Sequence, residues 1–384
     1  MTSTAATARR GGSEPTGSAA APAGSAAHGT SGVPDRPGAG GAGRSPGSGR
    51  VRHSHRGPLL LALALALIPL MALSVAVGSR LVDLATVVDA LRAFDPGDDD
   101  HLVVRELRVP RTILAVLTGA CLGVAGALMQ SLTRNTLAEP GTLGVNAGAA
   151  LGVVVGLALT GSASITVYVW FAFAGAGLAS VLVHRLGRAG EAGVNPVRLV
   201  LAGAGLSMTL GALTDILILS SPQQILDSFR NWATGSLQGR GWESLPVVAV
   251  CLAVGLALAL SLSGPLNSVS LGTDLARALG VDVRRTWRWT NLAIMVLAGG
   301  ATAAIGPVSF VGLAAPHAAR SIVGPDHRWV VPYSCVLASM AVLIADLLGR
   351  LVLHPGEIGA GIMTALIGAP FFIALVRRGR VSEL

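Results

Sequence analysis

Polar and apolar positions along this chain fall into long blocks rather than a short-period alternation. Apolar runs occupy residues 58–78, 109–132, 143–160, 165–183, 197–219, 244–262, 289–305, 308–323, 330–353 and 359–376, with short polar segments between them. Each run is close to the ~20 residues a helix needs to cross the hydrocarbon layer. The pattern predicts an all-α, polytopic membrane protein with about ten transmembrane helices. Residues 1–57 show no such pattern. They are rich in Gly, Ser, Ala and Pro with scattered arginines, cannot bury enough surface to fold alone, and are expected to be a disordered tail ahead of a membrane domain at 58–384.

Two interruptions of the apolar pattern stand out. Gly144, Gly148, Gly152 and Gly156 recur every fourth residue in the third run, a ladder that lets another helix approach closely. Residues 266–289, LNSVSLGTDLARALGVDVRRTWRW, form the longest polar break in the later chain. This segment predicts a short helix between spans, with Asp274 near its N-terminus and Gly280 closing it in a left-handed cap. Leu275 and Leu279 fall four apart on one face, and Arg277, Arg284, Arg285 and Arg288 make the loop basic.

Composition agrees with the membrane reading. The chain is 52% hydrophobic and 12% charged, with mean hydropathy +0.64 and a formal net charge of +8. The arginines are spread among loops that flank apolar spans, which fits membrane topology and lipid contact and excludes nucleic acid as the partner. Arg50, Arg52 and Arg56 precede the first span, and further arginines follow the fourth, sixth, eighth and tenth. Positive loops stay inside, so both termini are expected in the cytoplasm. The segment 79–107, with Asp98, Asp99 and Asp100, is expected outside, as is 220–243 with Trp232 and Trp242.

The chemistry available is narrow. All 28 basic residues are arginine, which excludes a P-loop and a Schiff-base lysine within the chain. Any ATP must therefore bind a partner subunit. Cys121, Cys251 and Cys335 are far apart in apolar segments and read as small hydrophobes, and no metal-site spacing occurs. Arg108, Arg111 and Arg350 place charge at the outer ends of spans, against the topological bias. Local pairing is one account, since Asp346 and Arg350 are four apart and Glu106 adjoins Arg108. Gln130, Asn135, Asp215, His317 and Arg320 are polar groups at or within spans, where such groups are costly and often functional. His317 and Arg320 are expected to anchor a cytoplasmic helix end by snorkelling. For Asp215 a hydrogen bond to a neighbouring helix competes with a place on a pathway.

Four strings carry a resemblance: RVPRTILAVLTGACLGVAGALMQSLTRNTLAEPGTLGVNAGA (108–149), LNSVSLGTDLARALGV (266–281), GPVSFVGLAAPHAARSIVGPDHRW (306–329) and ADLLGRLVLHPGEIGAGIMTALIGAPFF (345–372). In these the chain resembles the FecCD family, the permease subunits of type II ABC importers for iron-siderophore complexes, cobalamin and haem. NPVRLVLAGAGL (195–206) and WATGSL (232–237) make it most similar to permeases of ferric catecholate, enterobactin-type systems. Two turns depart from the family pattern. Thr136 stands where a proline is usual after Asn135, and Gly359 where Glu357-Ile358 is usually followed by proline.

The resemblance implies a permease domain over 58–384 that binds no cofactor itself. It implies a second permease subunit, different in sequence, two cytoplasmic ATPases and an extracytoplasmic siderophore-binding protein. It implies that Thr273, Asp274, Leu275, Ala276, Arg277, Leu279 and Gly280 sit in a groove on the ATPase and transmit its closure. It implies that Arg108, Arg111 and Arg350 meet acidic residues of the binding protein, and that Gln130, Asn135 and Asp215 line the pathway. Cobalamin and haem remain alternative cargoes. An ion-coupled secondary transporter would want midplane carboxylates, for which only Asp215 and Asp346 are placed, and a membrane hydrolase has no G-x-S-x-G here.

Overall fold

The computed structural model describes residues 55–78, 82–161, 164–187, 196–353 and 356–377. The predicted tail up to residue 54, most of the loop after the fourth span, and Arg378 and Arg380 lie outside the described residues. Within them every predicted span coincides with a helix, and no strand occurs among the described residues. Six helices there are long and apolar enough to cross a membrane, and Val145–Thr160 and Ala360–Ala374 are shorter apolar helices.

The centre is α4 (Val109–Thr133), buried along nearly its whole length. It packs against α13 (His327–Val352), α11 (Val283–Ile305), α9 (Leu245–Ser270) and α12 (Val311–Val323). Small residues make this closeness possible. A Cβ on Gly123 would strike the carbonyl of Ser334 in α13, and one on Gly126 the carbonyl of Gly312 in α12. α5 (Val145–Thr160) packs on α6 (Ile165–Gly187) through the predicted glycine ladder. Gly148 faces the Gly175 carbonyl, Gly152 that of Phe171, and Gly156 the Phe171 ring. Gly144 is not a rung: at φ 75° it forms the left-handed turn that starts α5.

α1 (Arg56–Ala76) lies at the periphery with most of its apolar surface open, as does α7 (Pro196–Leu219). From residue 82 to 107 the segment expected outside is largely helical. α2 (Leu84–Arg92) and α3 (Asp99–Leu102) lead through a wide helical turn, Val103–Arg108, straight into α4. Val75, Val82, Val87, Ala90 and Val104 give this cap a small core of its own. α8 (Gln223–Ala233) is an amphipathic helix in the 220–243 segment. Its Trp232 is buried and donates from Nε1 to the Ala303 carbonyl at 3.3 Å, whereas Trp242 is exposed as an interfacial tryptophan should be.

α9 runs past residue 262, the end of its apolar stretch, to Ser270. Hydropathy reads only the part immersed in hydrocarbon, so the polar continuation SGPLNSVS is silent in it. α10 (Thr273–Ala278) follows, and α14 (Ala360–Arg377) ends the described chain.

Non-helical backbone inside a membrane protein needs internal partners. Three motif strings supply them to one another: Gly361 N–H donates to the Gly235 carbonyl at 2.8 Å, and Gly306 lies against the Trp232 carbonyl. Gly359, the departure from the family turn, packs against Thr234. A second such junction joins 134–144 to α12. Glu139 Oε1 accepts the Phe310 N–H at 2.8 Å, and Phe310 itself sits at φ 68°.

Candidate functional site

The break at 266–289 folds as its residues require. α10 ends in a Schellman motif: Gly280 at φ 81° donates to the Arg277 carbonyl at 2.9 Å, and Val281 N–H to the Ala276 carbonyl at 3.0 Å. Ala276 is buried and seats the helix. On the other side Leu275 is 49% exposed and Leu279 60% exposed, with Leu271 beside them. Asp274 and Arg277 pair with each other at 3.1 Å in the open, an arrangement of little energetic weight. Thr273 opens the helix after Gly272 at φ 122°. The result is a short, well-terminated helix that presents apolar side chains away from the body.

A chain of hydrogen bonds fixes the base on which α10 stands. Asn267, in the last turn of α9, donates from Nδ2 to Asp326 Oδ1 at 2.7 Å and accepts at Oδ1 from the His327 N–H at 2.9 Å. His327 Nδ1 also meets Asn267 Oδ1 at 2.7 Å, and its Nε2 meets Ser131 Oγ of α4. Arg134 donates from Nη2 to the Val269 carbonyl at 2.8 Å. Asp326 further caps α13 through the Arg328 N–H. Partial burial opposes its ionisation, but the hydrogen bonds from Asn267 and the Arg328 backbone outweigh that and hold its carboxyl below the usual aspartate range. The ends of α4, α9 and α13 are thus tied together directly behind α10. Asn267 lies within a motif string but escapes a search for chemistry, because its partners are sixty residues away.

At the opposite end the three arginines expected on a docking surface turn inward. Arg350 is 2% exposed; it pairs with Asp346 at 2.9 Å and donates to the Ser74 and Val77 carbonyls, each at 2.8 Å. Arg111 pairs with Asp346 at 2.7 Å and Glu357 at 2.8 Å. Arg108 is buried and donates to the Val75 and Ala76 carbonyls at 2.9 and 2.8 Å. The guanidinium groups bind α1, α4, α13 and the turn before α14 to one another, an internal role beside the docking expected of them. The pairing of Asp346 with Arg350 is the local alternative seen in the sequence; its extension to Arg111 and Glu357 is not visible there.

Two of the three pathway candidates adjoin at the end of α4, where the Asn135 N–H donates to the Gln130 carbonyl at 3.2 Å. Gln130 is fully buried between α4 and α12, where Nε2 donates to the Leu313 carbonyl at 3.3 Å and Oε1 has no hydrogen-bond partner among the described residues. Asn135 is exposed just beyond α4, its Oδ1 accepting the Leu137 N–H at 2.9 Å. Asp215 lies on an open face of α7, beside Ala212 and Ile216. Arg320, expected to snorkel, instead buries Nη1 and Nη2 with no hydrogen-bond partner among the described residues. There, too, no three His, Cys, Asp or Glu side chains are grouped to hold a metal.

The chain is similar to known proteins in fold and in sequence. A metal-chelate type ABC transporter solved in an inward-facing conformation superposes with TM-score 0.70 at 28% identity, covering 84% of this chain and 99% of that one. Ferric enterobactin transport system permease protein FepD of Escherichia coli (strain K12) is 45% identical over 316 residues, 82% of this chain and 94% of the relative. Fe(3+) dicitrate transport system permease protein FecD of the same organism is 39% identical over 76% of this chain and 90% of its own length. Iron(3+)-hydroxamate import system permease protein FhuB of Bacillus subtilis (strain 168) is 36% identical over 80% of each chain. Residues 64–378 match the FecCD transport family as a unit, and with the buried small-residue core and the exposed α10 in place, the chain belongs to that family.

Proposed function

We propose that this chain is one permease subunit of an ATP-driven importer that moves a ferric siderophore of the catecholate class into the cytoplasm. The observation that carries the reading is α10. It is a short capped helix with two exposed leucines, held by a hydrogen-bonded base on the ends of three helices. Its form suits a groove on an ATPase, and it lies in a chain 45% identical to a ferric enterobactin permease. ATP is bound by two cytoplasmic ATPase subunits, because a chain without lysine has no P-loop of its own.

The remaining assembly follows the same reading. Ten helices cross the cell membrane with both termini in the cytoplasm, and a second permease of different sequence completes the pathway. The open face of α7, with Asp215 near its outer end, is available to line it. An extracytoplasmic binding protein delivers the chelate.

Uptake of radiolabelled iron, presented as a ferric catecholate, is the test, in cells with and without the gene and with labelled cobalamin and haem in parallel. Selective loss of iron uptake that wild type restores, and Leu275→Asp/Leu279→Asp does not, supports the reading. Collapse of cobalamin or haem uptake with iron intact overturns the cargo, and no change in any of the three overturns the assignment.

A further inference from the structure

α9 and α11 leave an open groove on their outer flank near the cytoplasmic end. It consists of two adjoining clefts of about 260 and about 270 Å³ that share Arg285 and Trp289. α11 contributes Arg285, Arg288, Trp289 and Leu292, spaced i, i+3, i+4 and i+7 and so on one face. α9 contributes Leu258, Ser261 and Leu262, at i, i+3 and i+4. The walls are therefore basic at one end and apolar at the other.

Depth follows from the helix lengths. The apolar part of α9 from Leu245 to Leu262 is about 27 Å long, close to the ~30 Å of a hydrocarbon core. Beyond Leu262, α9 continues for eight residues, about 12 Å, before α10 begins. The groove thus falls at the headgroup level, with the coupling loop further into the cytoplasm. Trp289, 43% exposed, stands where an interfacial tryptophan belongs. From Leu258 the exposed Val254 and Val250 continue a stripe toward the bilayer centre.

The side chains of Arg285 and Arg288 have no hydrogen bond or ion pair among the described residues, although Arg277 nearby is paired and Asp282 caps α11 through the Arg285 N–H. Two unpaired guanidiniums over an apolar lane match a phosphate joined to acyl chains. We propose that this groove binds an anionic phospholipid of the cytoplasmic leaflet. Arg285 and Arg288 hold the phosphate, Trp289 flanks the glycerol region, and an acyl chain lies along Leu292, Leu258 and Val254. The proposal rests on the spanning of α9 and α11 and not on the identity of the cargo.

Native mass spectrometry of the full-length chain, purified in mild detergent with equimolar phosphatidylglycerol and phosphatidylcholine, tests it. Two arginines near the surface predict about 30-fold preferential retention of phosphatidylglycerol. Arg285→Gln/Arg288→Gln should reduce retention to the phosphatidylcholine level, while Arg285→Lys/Arg288→Lys keeps most of it. Brominated phosphatidylglycerol should quench tryptophan fluorescence less in Trp289→Phe. Equal retention of the two lipids by wild type overturns the proposal, and this comparison needs no folded variant. Undiminished phosphatidylglycerol binding in the glutamine variant also overturns it.

Discussion

Asp346→Ala should be among the most destabilising single changes in the chain. The carboxylate is fully buried and accepts from Arg111 Nε at 3.1 Å, Arg111 Nη2 at 2.7 Å and Arg350 Nη2 at 2.9 Å. Its removal leaves the buried Arg350 and Arg108 and the half-buried Arg111 with Glu357 as the acid still paired in the cluster. Breaking a buried pair by deleting one partner costs about 3–5 kcal/mol, because the surviving charge loses its compensation inside. Two cations share this acid, which puts the expected loss at the upper end of that range. Reversible unfolding of the purified chain in mixed micelles under increasing SDS would measure it. Asp346→Asn keeps an acceptor but not the charge and should fall in between. Arg350→Met alone should also destabilise, and the double variant Asp346→Ala/Arg350→Met should lose less than the sum. A loss below about 1 kcal/mol for Asp346→Ala, within the range of exposed pairs, would refute the internal-bracket account and return the arginines to the outer surface.

Gly148→Leu should separate α5 from α6 at the Gly175 carbonyl and cost at least the ~1–3 kcal/mol of overpacking, read in the same unfolding assay. Asn267→Ala removes hydrogen bonds worth about 1 kcal/mol each; transport should fall while ATP hydrolysis by the assembled complex persists, and equal loss of both would count against a coupling role. Leu275→Asp/Leu279→Asp should weaken ATPase association by at least about 2 kcal/mol, the scale of an interface hot spot, measurable by co-purification. Asp326 contributes a pH dependence of known sign. Its folded carboxyl titrates below the usual ~3.9, so the stability it adds is present above that value and is lost as pH falls through the lower folded value. Asp326→Asn should therefore flatten the acid limb of the stability profile, and an unchanged limb would refute the assignment.

The spans were legible because hydropathy reports immersion in hydrocarbon, and immersion decides where these helices lie. α10 was legible for a local reason: Gly280 and the leucine pair act within one turn. What stayed hidden depends on partners distant in sequence or on helix outside the bilayer. Arg111 and Asp346 are 235 residues apart, so charge at an outer helix end looked exposed when it was neutralised inside. The polar end of α9 and the capping helices α2 and α3 carry no hydrocarbon signal, since one projects beyond the apolar slab and the others pack on a small local core. Trp232 looked interfacial for the same reason, its polar neighbours masking the buried face of α8.

The distribution of polar bonds separates a fixed part from a free one. α4 and α13 are joined at one end by the arginine bracket and at the other by the chain from Ser131 through His327 to Asn267, with glycine-mediated backbone contact between. A pillar held this way resists bending, because sliding one helix past the other would break charge pairs at one end and hydrogen bonds at the other. α7 packs on α5 and α6 and leaves Asp215 on an open face. α10 rests on α9 and α11, with Ala276 as its buried residue. In the coupling role proposed for α10, force applied at Leu275 and Leu279 would enter the body through the last turn of α9, where Asn267 would pass it to the pillar. A change in α10 that spared Asn267 would move the pillar ends together, whereas loss of Asn267 would let α9 move alone.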